Sequence, residues 1–199
     1  MSSKNLLNIF LNPFEDIKSN TLLVIGTIGF ILLSILGYFF HFINDGIIQI
    51  HPSVTKEFWK YLVNGSINTL SLTVILFLYG KMVNNKTRAE DVLIAVLIAQ
   101  IALIFIVVVS LNPYSTEISQ NILQEIEKGN IAHLKIETTS LIILTISGII
   151  GIVFLYYFFH LLVIGMKVAI NSKKLSHTIV IVVLTLVLDM ILKITYPYL

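Results

Sequence analysis

The sequence predicts an all-α fold, a polytopic integral membrane bundle of five transmembrane helices. Three observations predict it. The chain of 199 residues is 56% hydrophobic and only 12% charged, where a soluble domain carries roughly 25% charged residues. Its mean hydropathy is +0.92, too high for a soluble fold of this length to cover itself with polar groups. The apolar residues also fall into five runs near the length of about 20 residues that a hydrocarbon core requires.

The first run, about 21–43, contains no Lys, Arg, Asp or Glu. The second, about 61–83, is the weakest, because Asn64 and Asn68 make one end polar. If any run is re-entrant or surface-lying, it is this one. The third, about 92–111, is interrupted only by Gln100 and Ser110. The fourth, about 139–164, is long enough to tilt. The fifth, about 178–197, contains Asp189 and Lys193. Backbone groups in hydrocarbon must be satisfied within the segment, so each run is expected to be a helix.

Loop charges set the expected orientation. Eight basic residues (Lys4, Lys18, Lys81, Lys86, Arg88, Lys167, Lys173, Lys174) and four acidic ones belong to one side. Lys56, Lys60, Lys128 and Lys135 face six acids on the other. The expectation is an N-terminus in the cytoplasm and a C-terminus outside. The first run starts only near Thr21 and lacks a small-residue cleavage site, so it is expected to be retained.

Residues 1–20 read as an amphipathic cytoplasmic interfacial segment ahead of a membrane domain at 21–199. Asn12 suits a cap and Pro13 a first helical position, with Phe10, Phe14 and Ile17 forming an apolar stripe. The other reading is a connector packed on the bundle. In the loop 112–138, Ile118, Ile122, Leu123 and Ile126 have helical spacing and suggest an amphipathic helix over the outer face or a partner-binding element.

Asp189 and Lys193, four apart, share a helix face. An ionisable group inside a span is costly and is usually paired or functional. The pair reads as a structural i,i+4 ion pair in preference to a proton relay or a contact to a partner. Asn64, Asn68 and Gln100 are expected to find partners across helices, with a narrow aqueous path as the alternative. His41 and His160 follow aromatic clusters and read as interface packing. Glu90 and Asp91, beside Lys86 and Arg88, read as a charged collar rather than a metal site. Gly26, Gly29 and Gly37 in the first run, and Ser147 with Gly148 and Gly151 in the fourth, permit close helix contact.

The chain has no cysteine, which excludes disulfides, thiol catalysis and Cys-built metal sites. It carries no phosphate-binding glycine loop, dinucleotide fingerprint, nucleophile elbow or zincin helix. No catalytic residue, metal or cofactor is therefore expected. A net charge of +2 gives no case for nucleic acid.

Three stretches resemble the Yip1 domain family of five-span membrane proteins, in its prokaryotic type. Asn12-Pro13-Phe14-Glu15-Asp16-Ile17 resembles the family's opening, and Asn85-Lys86-Thr87-Arg88-Ala89-Glu90-Asp91-Val92 its basic entry into the third span. Gly165-Met166-Lys167-Val168-Ala169 with Ser172-Lys173-Lys174-Leu175-Ser176 resembles the turn after span four. Asn84 and Asn85 stand where many members have a glycine pair. The resemblance implies a non-enzymatic protein in a prokaryotic inner or plasma membrane that scaffolds or organises membrane or partner membrane proteins. Its partners would be lipids, other membrane proteins or a second copy. Small-GTPase binding is not expected, because the long N-terminal region of the trafficking members is missing. The alternative function is a small transporter or channel component with a polar path near Asp189, Gln100 and Asn68.

Overall fold

The computed structural model describes residues 3–53, 55–110, 118, 121–124, 126–127 and 138–195. They are almost entirely helical. The elements are α1 (Ser3–Leu11), α2 (Pro13–Asp16), α3 (Ser19–Phe40), β1 (Phe42–Asn44), β2 (Ile50–Pro52), α4 (Phe58–Val83), α5 (Ala89–Ser110), α6 (Thr138–Ala169) and α7 (Leu175–Thr195). Among the described residues, five helices are long and apolar enough to cross a membrane: α3, α4, α5, α6 and α7. They form a polytopic membrane bundle.

α5 is the centre of the bundle. It is apolar all round, the pattern of a helix enclosed by neighbours. In its apolar window 61% of residues are buried, against 6% in α6. Val92, Ala95, Val96, Ala99, Ala102 and Leu103 have no exposure. α3 runs parallel to it. Gly26 lies against Leu97 and Gly29 against Ile101, and an added Cβ at either glycine would come within 2.7 Å of its neighbour. α4 runs antiparallel, with Thr69 opposite Gln100 and Gly80 against Thr87. α6 is also antiparallel, with Gly165 against Ala95 and the Phe154 ring stacked at 4.7 Å on Phe105. Many large apolar side chains on the outer faces of the helices are exposed, such as Ile28, Leu78, Ile152 and Ile179. In a membrane protein these are the groups that meet lipid.

Two tight turns close one end. Asn84 Nδ2 donates to the Ile170 carbonyl at 3.1 Å, tying the α4–α5 turn to the α6–α7 turn. The Thr87 hydroxyl donates to the Gly80 carbonyl. Lys81, Lys86, Arg88, Lys167, Lys173 and Lys174 belong to this basic end.

The N-terminal segment packs on the bundle. Asn12 breaks the helix between α1 and α2 but makes no side-chain capping bond. Phe14 lies against Gly165, and Phe10 stacks on Tyr157 at 4.5 Å. The Tyr157 hydroxyl donates to the Phe10 carbonyl at 2.6 Å, and His160 Nε2 lies 3.0 Å from the Leu11 carbonyl. Tyr157 is twelve residues from the end of α6, or about 18 Å at 1.5 Å per residue. The segment therefore lies along the flank of α6, with Leu7, Phe10 and Leu11 still exposed. Of the amphipathic helix expected in the α5–α6 connection, 121–124 and 126–127 are helical and Ile118 is buried. The rest of 111–137 lies outside the described residues, as do Pro197, Tyr198 and Leu199.

Candidate functional site

The α3–α4 connection turns back into the bundle. Hydropathy places the end of the first span at Ile43, but α3 ends at Phe40. His41 takes the left-handed conformation (φ 57°), and its N–H donates to the Gly37 carbonyl. The chain then forms an antiparallel hairpin in which Phe42 pairs with Pro52, Ile43 with His51 and Asn44 with Ile50. Ser53 N–H donates to the His41 carbonyl at 2.6 Å and closes its base. The re-entrant element is thus this connection. The second span, α4, is a complete 26-residue helix.

The tip of the hairpin, Asp45 to Gln49, is held by two helices. Asn68 Nδ2 on α4 donates to the carbonyls of Asn44 (3.0 Å) and Gly46 (2.7 Å). Asp189 Oδ1 on α7 accepts the backbone N–H groups of Ile47 (2.6 Å) and Ile48 (3.0 Å). Its Oδ2 accepts Gln49 Nε2 at 2.8 Å. Gly46 sits so close to the Asp189 carboxylate that a Cβ there would collide with it. Asp45 accepts His51 Nδ1 at 2.7 Å, which stiffens the hairpin from within.

The depth of the site follows from helix rise. Asn68 is ten residues inside α4 from Phe58, about 15 Å along the axis. Asp189 is six residues from Thr195, the last described residue of α7, about 9 Å. Irregular backbone is tolerated at such depth only where protein encloses it. Ile43 and Ile47 are accordingly 1% exposed. Desolvating a carboxylate costs several kcal/mol. Here three N–H donors replace its water, two of them the consecutive backbone groups of Ile47 and Ile48.

Beneath the hairpin lies a small cavity, lined by Ser34 and Gly37 of α3, Asn44 and Ile47 of the hairpin, Asn68 and Thr69 of α4, and Gln100 of α5, among others. About 20 Å³ is open to the centre of a water molecule, room for roughly one water. Gln100 Nε2 donates to the Thr69 hydroxyl at 2.9 Å. That hydroxyl donates in turn to the Gly65 carbonyl at 2.7 Å. Towards the basic end, Leu72 and Leu76 continue the Asn68 face of α4 at i+4 and i+8, and both are fully buried, as is Ile181 of α7.

The sequence-predicted residues therefore separate. Asn68 and Gln100 line one cavity, and Asp189 closes the hairpin beside it. The expected Asp189–Lys193 ion pair does not form. Asp189 is 3% exposed and faces inward, whereas Lys193 is exposed. No ion pair joins them among the described residues. The physical reason is that the hairpin brings three donors to the carboxylate, while the lysine extends away from the bundle. Asn64 is buried one turn from Asn68, with no side-chain hydrogen bond among the described residues. Sequence reasoning missed Gly46, Gln49 and Thr69. The available signal was the Asn44-Asp45-Gly46 turn signature beside Ile47, Ile48 and Ile50 in so short a connection.

No group of three or more His, Asp or Glu side chains suited to a metal occurs among the described residues. No family model, no curated protein and no solved structure matches the chain.

Proposed function

We propose that this is a non-enzymatic integral membrane protein of Yip1-like type, which organises membrane or holds partner membrane proteins. One observation carries the reading. Asp189, Asn68, Gln100 and Thr69 spend their hydrogen bonds on one another's elements and on the hairpin. The cavity beside them has room for roughly one water, and buried Leu72, Leu76 and Ile181 lie between it and the basic end. Polar groups used in this way build a rigid interior and leave the lateral apolar surface for contact with lipid or protein. The basic end supports a cytoplasmic N-terminus in a cell membrane.

The test is reconstitution in liposomes. The protein is expected to leave proton and monovalent-cation permeability at the level of protein-free vesicles. In native membranes, a photo-crosslinking side chain at exposed Ile149 should form position-specific adducts with another membrane protein or a second copy, and one at buried Leu72 should not. A cation flux that Asp189→Asn abolishes would overturn the reading. It would favour the second one, a small transporter component, for which the argument is the hairpin seated on a buried carboxylate at depth.

A further inference from the structure

We propose that the hairpin 42–52 is a lid over the cleft between α3, α4 and α5, and that the charge of Asp189 latches it shut. This stands apart from the organising role, since it concerns the interior and not the lateral surface. The cleft holds polar groups beneath this cover. Ser34, Asn68, Thr69 and Gln100 are all buried on three different helices around one cavity. Phe42, Asn44 and Ile47 of the hairpin complete the lining. The hairpin is a separate unit, with its own ladder and a base closed by Ser53 and His41.

Besides the burial of Ile43 and Ile47, its polar hold on the helices is concentrated. Asn68 grips two carbonyls of the tip, and Asp189 grips three donors. Asp189 is the only one of these anchors that acts through a full charge. Neutralising it as an amide keeps the shape but weakens three charge-assisted hydrogen bonds at once. The ionisable groups near the hairpin make contacts of their own. Asp45 and His51 pair with each other on the hairpin. Tyr61, which lines the cavity, donates its hydroxyl to the Thr55 carbonyl at 3.0 Å, and Lys193 is exposed.

The absence of cysteine from the chain makes the lid directly testable. Ser34→Cys places a single, nearly isosteric thiol in the cavity. Ala99→Cys places one at a fully buried α5 position outside the cavity lining. Each variant is placed in lipid nanodiscs, which expose both ends, and treated with a small cationic, membrane-impermeant methanethiosulfonate. The Ser34→Cys thiol should react slowly in the native background. Asp189→Asn should make it react roughly tenfold faster, the factor carried by one lost hydrogen bond to a charge. Gln49→Ala, which removes one donor and leaves the carboxylate, should give a smaller increase. Ala99→Cys should stay unreactive throughout. Equal Ser34→Cys rates with and without Asp189→Asn would overturn the proposal. A parallel rise at Ala99→Cys would also overturn it, because that is loosening of the whole bundle. If Asp189→Asn does not purify as a folded protein, Gln49→Ala decides, and an unchanged rate there rejects the lid.

Discussion

Asp189 shows how a single side chain in a span acquires its meaning from chain far away in sequence. Its helix supplies Lys193 one turn on, and a local reading pairs the two. The carboxylate instead accepts from residues more than a hundred positions earlier. The stability consequences differ accordingly. Lys193→Met should change the stability in detergent little, within about 0.5 kcal/mol, as an exposed substitution does. Gly46→Ala should lower it by about 2 kcal/mol, because the new methyl must displace the Asp189 carboxylate that it meets. Asn68→Ala should cost about 2 kcal/mol as well, since the Asn44 and Gly46 carbonyls lose their partner in a buried setting. A thermal-shift series on the three variants checks the order. A large loss from Lys193→Met would restore the ion-pair reading. That Asp189, Asn68 and Gln100 have interior roles was legible from the rarity of polar groups in apolar runs. Which partner each takes was not, because hydrogen bonding across helices leaves no periodic trace in one sequence.

At the scale of elements, five helices were legible because each carries a long apolar run. Their ends were less so. Hydropathy falls only where polar residues begin, and the hairpin carries Ile43, Ile47, Ile48 and Ile50. These are apolar because the hairpin packs against protein, and Phe42 and Ile43 carry the apparent first span beyond Phe40. The glycines divide in the same way. Gly26 and Gly29 make a close α3–α5 contact, while an added Cβ at Gly148 or Gly151 meets nothing within 4 Å. Gly26→Leu should destabilise the detergent-solubilised protein by about 2 kcal/mol or more through overpacking against Leu97. Gly148→Leu should be neutral or stabilising by up to about 1 kcal/mol, since it gains helix propensity without a clash. Equal losses from both would mean that α6 is covered in solution.

For the whole molecule, the antiparallel order of the helices puts the α6–α7 turn and the end of α7 at opposite ends of the bundle. Together with the basic end, this predicts that a reporter in the 165–176 turn stays cytoplasmic and that one after Leu199 is exported. The same side for both would contradict the five-span path. One further dimension follows from the helix lengths. α5 has 22 residues and α6 has 32, about 33 Å and 48 Å at 1.5 Å per residue. Their register, with Gly165 at Ala95 and Phe154 at Phe105, sends the first third of α6 past Ser110, the last described residue of α5. A hydrocarbon layer of about 30 Å matches α5 upright, but α6 only if it tilts or the leaflet thickens around it. Upright, α6 would ask for a thicker hydrocarbon layer than α5 does; tilted, it would come closer to the same one, so the tilt of α6 sets how evenly a bilayer meets the protein.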